Sequence, residues 1–139
     1  MNNKIIVAID FDGTIVRAED PTLINVTKDF VLLPHAKEVL DWMYQYFFCI
    51  LWTCRDDVAL QNALSFLSRN NIKFHAINQN APFLDFQTSN KIYFDYSIDD
   101  RTSMNSIDWL VIRQYLQKKY LKTDEETIVD KVLIEVYPC

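Results

Sequence analysis

The feature that most constrains this chain is a set of short apolar runs that stop abruptly at polar groups. Residues 4–10 (KIIVAID) end at Asp10, residues 47–53 (FFCILWT) end at Thr53, and residues 92–98 (IYFDYSI) lead into Asp99-Asp100. A fourth, shorter run covers 72–77 (IKFHAI). Continuous apolar runs of this length predict strands buried on both faces. Between them the spacing turns helical. Ala36, Val39, Leu40, Met43 and Phe47 predict an amphipathic helix over 35–46, with Pro34 where its first turn would begin. Asp56 or Asp57 suits the cap of a second helix with the stripe Leu60, Ala63, Leu64 and Leu67, ended by Asn70-Asn71. Ile107, Leu110 and Val111 mark another. Thr123-x-x-Glu126 is a capping box, and it opens a last segment, 124–137, whose VLIEVY suits helix and strand alike.

Strands separated by helices predict an α/β fold, a three-layer Rossmann-like parallel sheet flanked by helices. The length of 139 residues predicts a single domain, 1–139. In such sheets ligands bind outside the carboxyl ends of the strands. Asp10, Thr53 and Asp99-Asp100 all fall at that edge.

The chain has a single glycine, Gly13. Dinucleotide fingerprints and P-loops need several, so that the backbone can approach a phosphate. Both are excluded, and a phosphate here has to be held by side chains and a metal. The net charge of -5 speaks against general nucleic-acid binding. No apolar run approaches the ~20 residues that span a bilayer, and the opening Met1-Asn2-Asn3-Lys4 lacks the pattern of a signal peptide. Three cysteines without a CxxC pair fit a reducing, cytoplasmic setting.

Asp10-Phe11-Asp12-Gly13-Thr14 carries the chemistry. Two carboxylates one residue apart at a strand end cannot both be core residues, because an unpaired buried charge is costly. A cation would relieve that cost. Mg²⁺ takes oxygen ligands and keeps several waters, so this turn and the Asp99-Asp100 pair form a sensible donor set. Gly13 falls where a chain turning sharply off its strand benefits from conformational freedom.

DFDGT after an apolar strand resembles the first motif of the haloacid-dehalogenase-like (HAD) phosphatase superfamily, and the other motifs follow in order. Thr53 resembles the second, Lys91 the third and Asp99-Asp100 the fourth. The strings ILWTCRD and IDDR are similar to a compact, capless branch of HAD hydrolases, with some similarity to deoxyribonucleotidases. The resemblance covers about residues 4 to 112. It implies a Mg²⁺-dependent phosphohydrolase in which Asp10 attacks phosphorus and becomes phosphorylated, and Asp12 passes a proton to the leaving oxygen and later takes one from water. It implies that Thr53 and Lys91 bind the phosphoryl group. Asp10, Asp12, Asp100 and Asp99 make up the metal set, Asp100 as direct ligand and Asp99 as its neighbour.

Other residues have plainer readings. Arg55 and Arg101 each follow a motif and are candidate substrate contacts or structural ion-pair partners. Asn78 and Asn80 read as turn residues, His35 and His75 as structural, and Trp42, Trp52 and Trp109 as core. Cys49 and Arg55 have the C-x5-R spacing of cysteine-dependent phosphatases. The intervening ILWTC reads as strand, however, and cannot curl around a phosphate. A receiver-like module would need an acid after the third strand, where Ile77-Asn78-Gln79 stands. A non-catalytic phosphate- or metal-binding module of the same fold is the alternative function.

Caps set substrate choice in the superfamily, and neither available insertion reaches the ~50 residues of a small domain. No large cap is expected, and 17–33 is a candidate small flap. An open site admits a small phosphorylated substrate such as a nucleotide or sugar phosphate, or a phosphorylated macromolecule. The aromatic content of 14% leaves room for a homo-oligomer interface.

Overall fold

The computed structural model describes residues 4–18, 29–102 and 106–121. Four parallel strands form one sheet: β1 (Ile6–Ile9), β4 (Phe48–Leu51), β5 (Ala76–Ile77) and β6 (Tyr96–Ile98), in the order β5-β4-β1-β6. Helices α1 (Ala36–Tyr46) and α2 (Asp57–Arg69) precede and follow β4. The result is a mixed α/β, Rossmann-like fold with a parallel sheet flanked by helices, as the alternation of patterns predicts. A two-stranded antiparallel hairpin, β2 (Val16–Ala18) with β3 (Phe30–Leu32), branches off after β1. The chain divides into two units, Met1–Trp109 and Leu110–Cys139, and the second holds all but the first residue of α3 (Trp109–Tyr120). No helix among the described residues is long and apolar enough to cross a membrane.

Strand β1 is buried along its whole length. Its register sets Val7 beside Cys49 and Ile9 beside Leu51 on one side, and Val7 beside Tyr96 and Ile9 beside Ile98 on the other. Ile6, Ala8 and Ile50 join Ala81 and Ile92 in a core cluster, with Phe83, Leu84 and Phe94 packed against it, so the segment between β5 and β6 contributes directly to the core. Phe11, Phe30 and Phe66 meet edge to face at centroid distances of 5.1 to 6.4 Å, tying β1, the hairpin and α2 together.

Several local expectations need correction. The helix predicted from residue 35 begins at Ala36, because His35 is its N-cap, in a left-handed conformation with φ 64° and in contact with Glu38. The run 72–77 yields only two strand residues. Ile72 instead finishes α2, its amide bonding Leu67 O at 2.9 Å after Asn71 turns with φ 56°. His75 Nδ1 then accepts the Cys49 amide at 2.9 Å, so an imidazole occupies the place of a backbone carbonyl. Strand β6 is shortened likewise: Asp95 Oδ2 accepts the Ile6 amide at 2.8 Å, and regular pairing starts at Tyr96. The polar stretch 17–33, which shows no periodicity, contributes strand residues at both ends. The rest of that candidate flap, 19–28, lies outside the described residues, as do the capping box at Thr123 and the segment 124–137.

Candidate metal and phosphate site

The topology places the site. From β1 the chain moves to β4 and β5 on one side, then crosses back to β6 on the other. The strand order therefore reverses between β1 and β6, and their carboxyl ends flank the crevice where open α/β sheets bind ligands. Asp10 leaves β1 with its amide still bonded to Ile98 O at 2.9 Å. Asp99 and Asp100 leave β6 beside it.

Carboxylate oxygens of Asp10, Asp99 and Asp100 lie within 4.8 Å of one another. Burial and the adjoining charges of Asp99 and Asp100, together with a hydrogen bond that protonated Asp10 donates to the Asp100 carboxylate, raise the Asp10 pKa from 3.8 to about 7, against the opposing bond from the Phe11 amide. Three half-buried acids in mutual repulsion are a site that gains from a cation. The donors are all oxygen, the ligand type that hard divalent cations take.

Thr14 completes the cluster, and its role does not emerge from the sequence reading. Fully buried, its hydroxyl lies 3.3 Å from Asp10 Oδ2 and 3.3 Å from Asp100 Oδ1, and it accepts the Asp100 amide at 3.0 Å. Its carbonyl receives the indole N–H of buried Trp109 at 2.9 Å. Gly13 makes this approach feasible. Its φ is +77°, and a Cβ there would stand 2.8 Å from Asp100 Cγ. One residue thus meets two demands, a left-handed turn and contact with the opposing acid.

Asp12 is in a different environment from Asp10. Arg55 holds it bidentately, Nε to Oδ2 at 2.7 Å and Nη2 to Oδ1 at 2.8 Å. The Thr53 hydroxyl accepts the Arg55 amide at 3.1 Å, which leaves its own hydrogen free to point elsewhere. Asn78, in a left-handed turn with φ 52°, clamps the backbone of Thr53 through bonds of 2.9 and 3.1 Å. Only its turn role was readable in sequence, since the partner is 25 residues away.

Lys91 is exposed, and among the described residues its ammonium has no hydrogen-bond or ion-pair partner. Arg101 is exposed too, with its amide on Asp99 Oδ1 at 2.8 Å. Cys49 is buried inside β4 and its thiol is pushed up to about 12 by that burial, so the C-x5-R spacing has no cysteine nucleophile behind it. Arg55, its other half, is occupied by Asp12.

The chain is similar over 90% of its length to a solved structure of a conserved protein from Bacteroides thetaiotaomicron, covering 98% of that chain at 31% identity and a TM-score of 0.66. Chains in two structures of the Pnkp1/Rnl/Hen1 complex, one of them described as an RNA repair complex, match at 16% identity with TM-scores of 0.46 and 0.45. Those matches cover 86% and 88% of this chain but only 32% and 37% of the other chains. No family model and no curated protein matches the chain.

Proposed function

The chain belongs to the same family as the conserved Bacteroides thetaiotaomicron protein, and from its site we propose that it is a Mg²⁺-dependent phosphomonoester hydrolase of the HAD type, working through an aspartyl-phosphate on Asp10. The observation that carries this reading is the division of two acids on one turn between two environments. Asp10 sits among other acids, while Asp12 is paired with a guanidinium. A cation held among the acids would keep Asp10 ionised for attack, while Asp12, outside that cluster, is left for proton transfer.

Asp10, Asp99 and Asp100 would hold the metal, which supplies charge neutralisation between the nucleophile and an incoming phosphate. A carboxylate oxygen of Asp10 attacks phosphorus as the bond to the leaving oxygen breaks. Asp12 gives that oxygen its proton. Water then attacks the phosphorus, Asp12 takes the proton back, and inorganic phosphate leaves Asp10 free again. The Thr53 hydroxyl donates to a phosphoryl oxygen. Lys91, on a flexible stem, is the proposed counter-charge, and Arg101 beside the acid pair is a candidate substrate contact. The substrate class that fits is a small phosphorylated molecule, a nucleotide or sugar phosphate among them.

The test is turnover of p-nitrophenyl phosphate with Mg²⁺, with chelator, and in Asp10→Asn. Turnover that needs the metal and vanishes in the variant supports the reading. Metal-independent turnover that survives Asp10→Asn and dies on thiol alkylation would overturn it. Absence of turnover with Mg²⁺-dependent binding of tungstate would instead mark a binding module.

A further inference from the structure

Among the described residues, Arg55 is the only charged side chain that is buried. Taking a guanidinium out of water is costly unless its donors are met. Here Nε and Nη2 reach Asp12, Nη1 reaches Ala59 O at 3.1 Å in the first turn of α2, and the guanidinium carbon lies 5.5 Å and 4.9 Å from the ring centroids of Phe11 and Phe30. Its amide meanwhile holds the Thr53 hydroxyl. The side chain therefore fixes a group on the β1 turn, and the main chain fixes a group at the end of β4.

We propose that Arg55 is a positioning residue that sets Asp12 in register with Thr53, and not a contact for substrate. This rests on the phosphohydrolase reading above. A carboxylate has about four lone-pair sites, and the fork takes one on each oxygen. The remaining pair is left in a fixed direction for the proton that moves to and from the leaving oxygen. Lysine cannot reproduce this, because a point charge on a flexible stem does not set the plane of a carboxylate. Phe30 places the guanidinium under a ring from β3, so the hairpin braces the same contact.

The experiment compares two substrates in wild type, Arg55→Met, Arg55→Lys and Asp12→Asn. General acid help matters most for a poor leaving group, so an alkyl phosphate needs Asp12 far more than p-nitrophenyl phosphate does. A displaced acid costs on the order of 100-fold. Arg55→Met should lose kcat on the alkyl ester roughly 100-fold beyond its loss on the aryl ester, by the same reasoning, with both KM values little changed. Arg55→Lys should recover little, and Asp12→Asn added to Arg55→Met should leave the ratio between substrates unaltered. A rise in KM for both esters with kcat retained would make Arg55 a substrate contact and overturn the proposal. Equal losses on both esters would reduce it to a structural residue, which also overturns it.

An arm independent of turnover is urea unfolding of Arg55→Met, Asp12→Asn and the variant that combines them. The paired geometry requires the double variant to be no less stable than Arg55→Met alone, and additive losses would contradict it. Loss of wild-type turnover in Asp10→Asn tests the phosphohydrolase reading separately, so the two failures are distinguishable.

Discussion

Replacing Gly13 by alanine tests how the site is assembled. At φ +77° an L-residue pays about 1–2 kcal/mol for the left-handed conformation. The new Cβ would also stand 2.8 Å from Asp100 Cγ and closer still to Oδ2, so Asp100 has to move. Moving it breaks the Asp100 amide bond to Thr14 Oγ1 at 3.0 Å and the hydroxyl contact at 3.3 Å. Each such bond is worth about 0.5–1.5 kcal/mol. Stiffening the unfolded chain works the other way, by about 0.4–1 kcal/mol. The balance is a loss of about 2–3 kcal/mol, which for a chain of this size lowers the melting temperature by roughly 6–15 °C. Since Asp100 leaves the acid cluster, Mg²⁺ should stabilise the variant less than wild type at equal concentration. The assay is thermal and urea unfolding with Mg²⁺ and with chelator. Gly13→Asn is the control, because asparagine tolerates a positive φ but still carries the Cβ. Near-wild-type behaviour of Gly13→Asn would mean that the turn alone matters. If Gly13→Ala unfolds within about 0.5 kcal/mol of wild type and keeps its Mg²⁺ response, the close approach to Asp100 is refuted.

Asp10 makes a pH prediction whose sign can be worked out. Its folded pKa of about 7 exceeds the ordinary 3.8, so the folded state holds this proton more tightly than the unfolded chain. That stabilisation is complete below the unfolded value and is lost as pH rises through the folded one. Urea unfolding of the chelated protein should therefore show stability falling between these two values. Asp10→Asn should remove that slope and melt above wild type at pH 8 without metal, and an unchanged slope would mean that burial and the neighbouring acids do not hold that proton on Asp10. Trp109→Phe strands the buried Thr14 carbonyl, and the expected cost is about 1–3 kcal/mol in urea unfolding. A smaller Mg²⁺-dependent shift in melting temperature should accompany it, because the Thr14 loop loses its anchor.

Much of the architecture was legible in the chain itself. Buried strands and amphipathic helices have periods of their own, so β1, α1, β4 and α2 lie close to where residues 4–10, 35–46, 47–53 and the cap at Asp56 predict them. The acids at the ends of β1 and β6 were equally visible, since unpaired carboxylates do not continue a buried strand. The short strands were not. At β5 and β6 a side chain takes a ladder bond, His75 in one case and Asp95 in the other, and no local pattern announces that. The hairpin strands β2 and β3, of three residues each, are too brief for periodicity to declare.

Sequence alone determined the residue types available for chemistry and the strand ends that carry them, because strand length and burial are written in local hydrophobic pattern. Tertiary structure decided which of those residues meet. Asp10, Thr14 and Asp100 join across 86 residues from Thr14 to Asp100, and Asp12 and Arg55 across 43. Those pairings follow from the crossover that sets β6 and β4 on opposite sides of β1, and from a glycine with no side chain to keep Asp100 away. Contacts of that range depend on strand order and close packing, and one-dimensional spacing does not encode them.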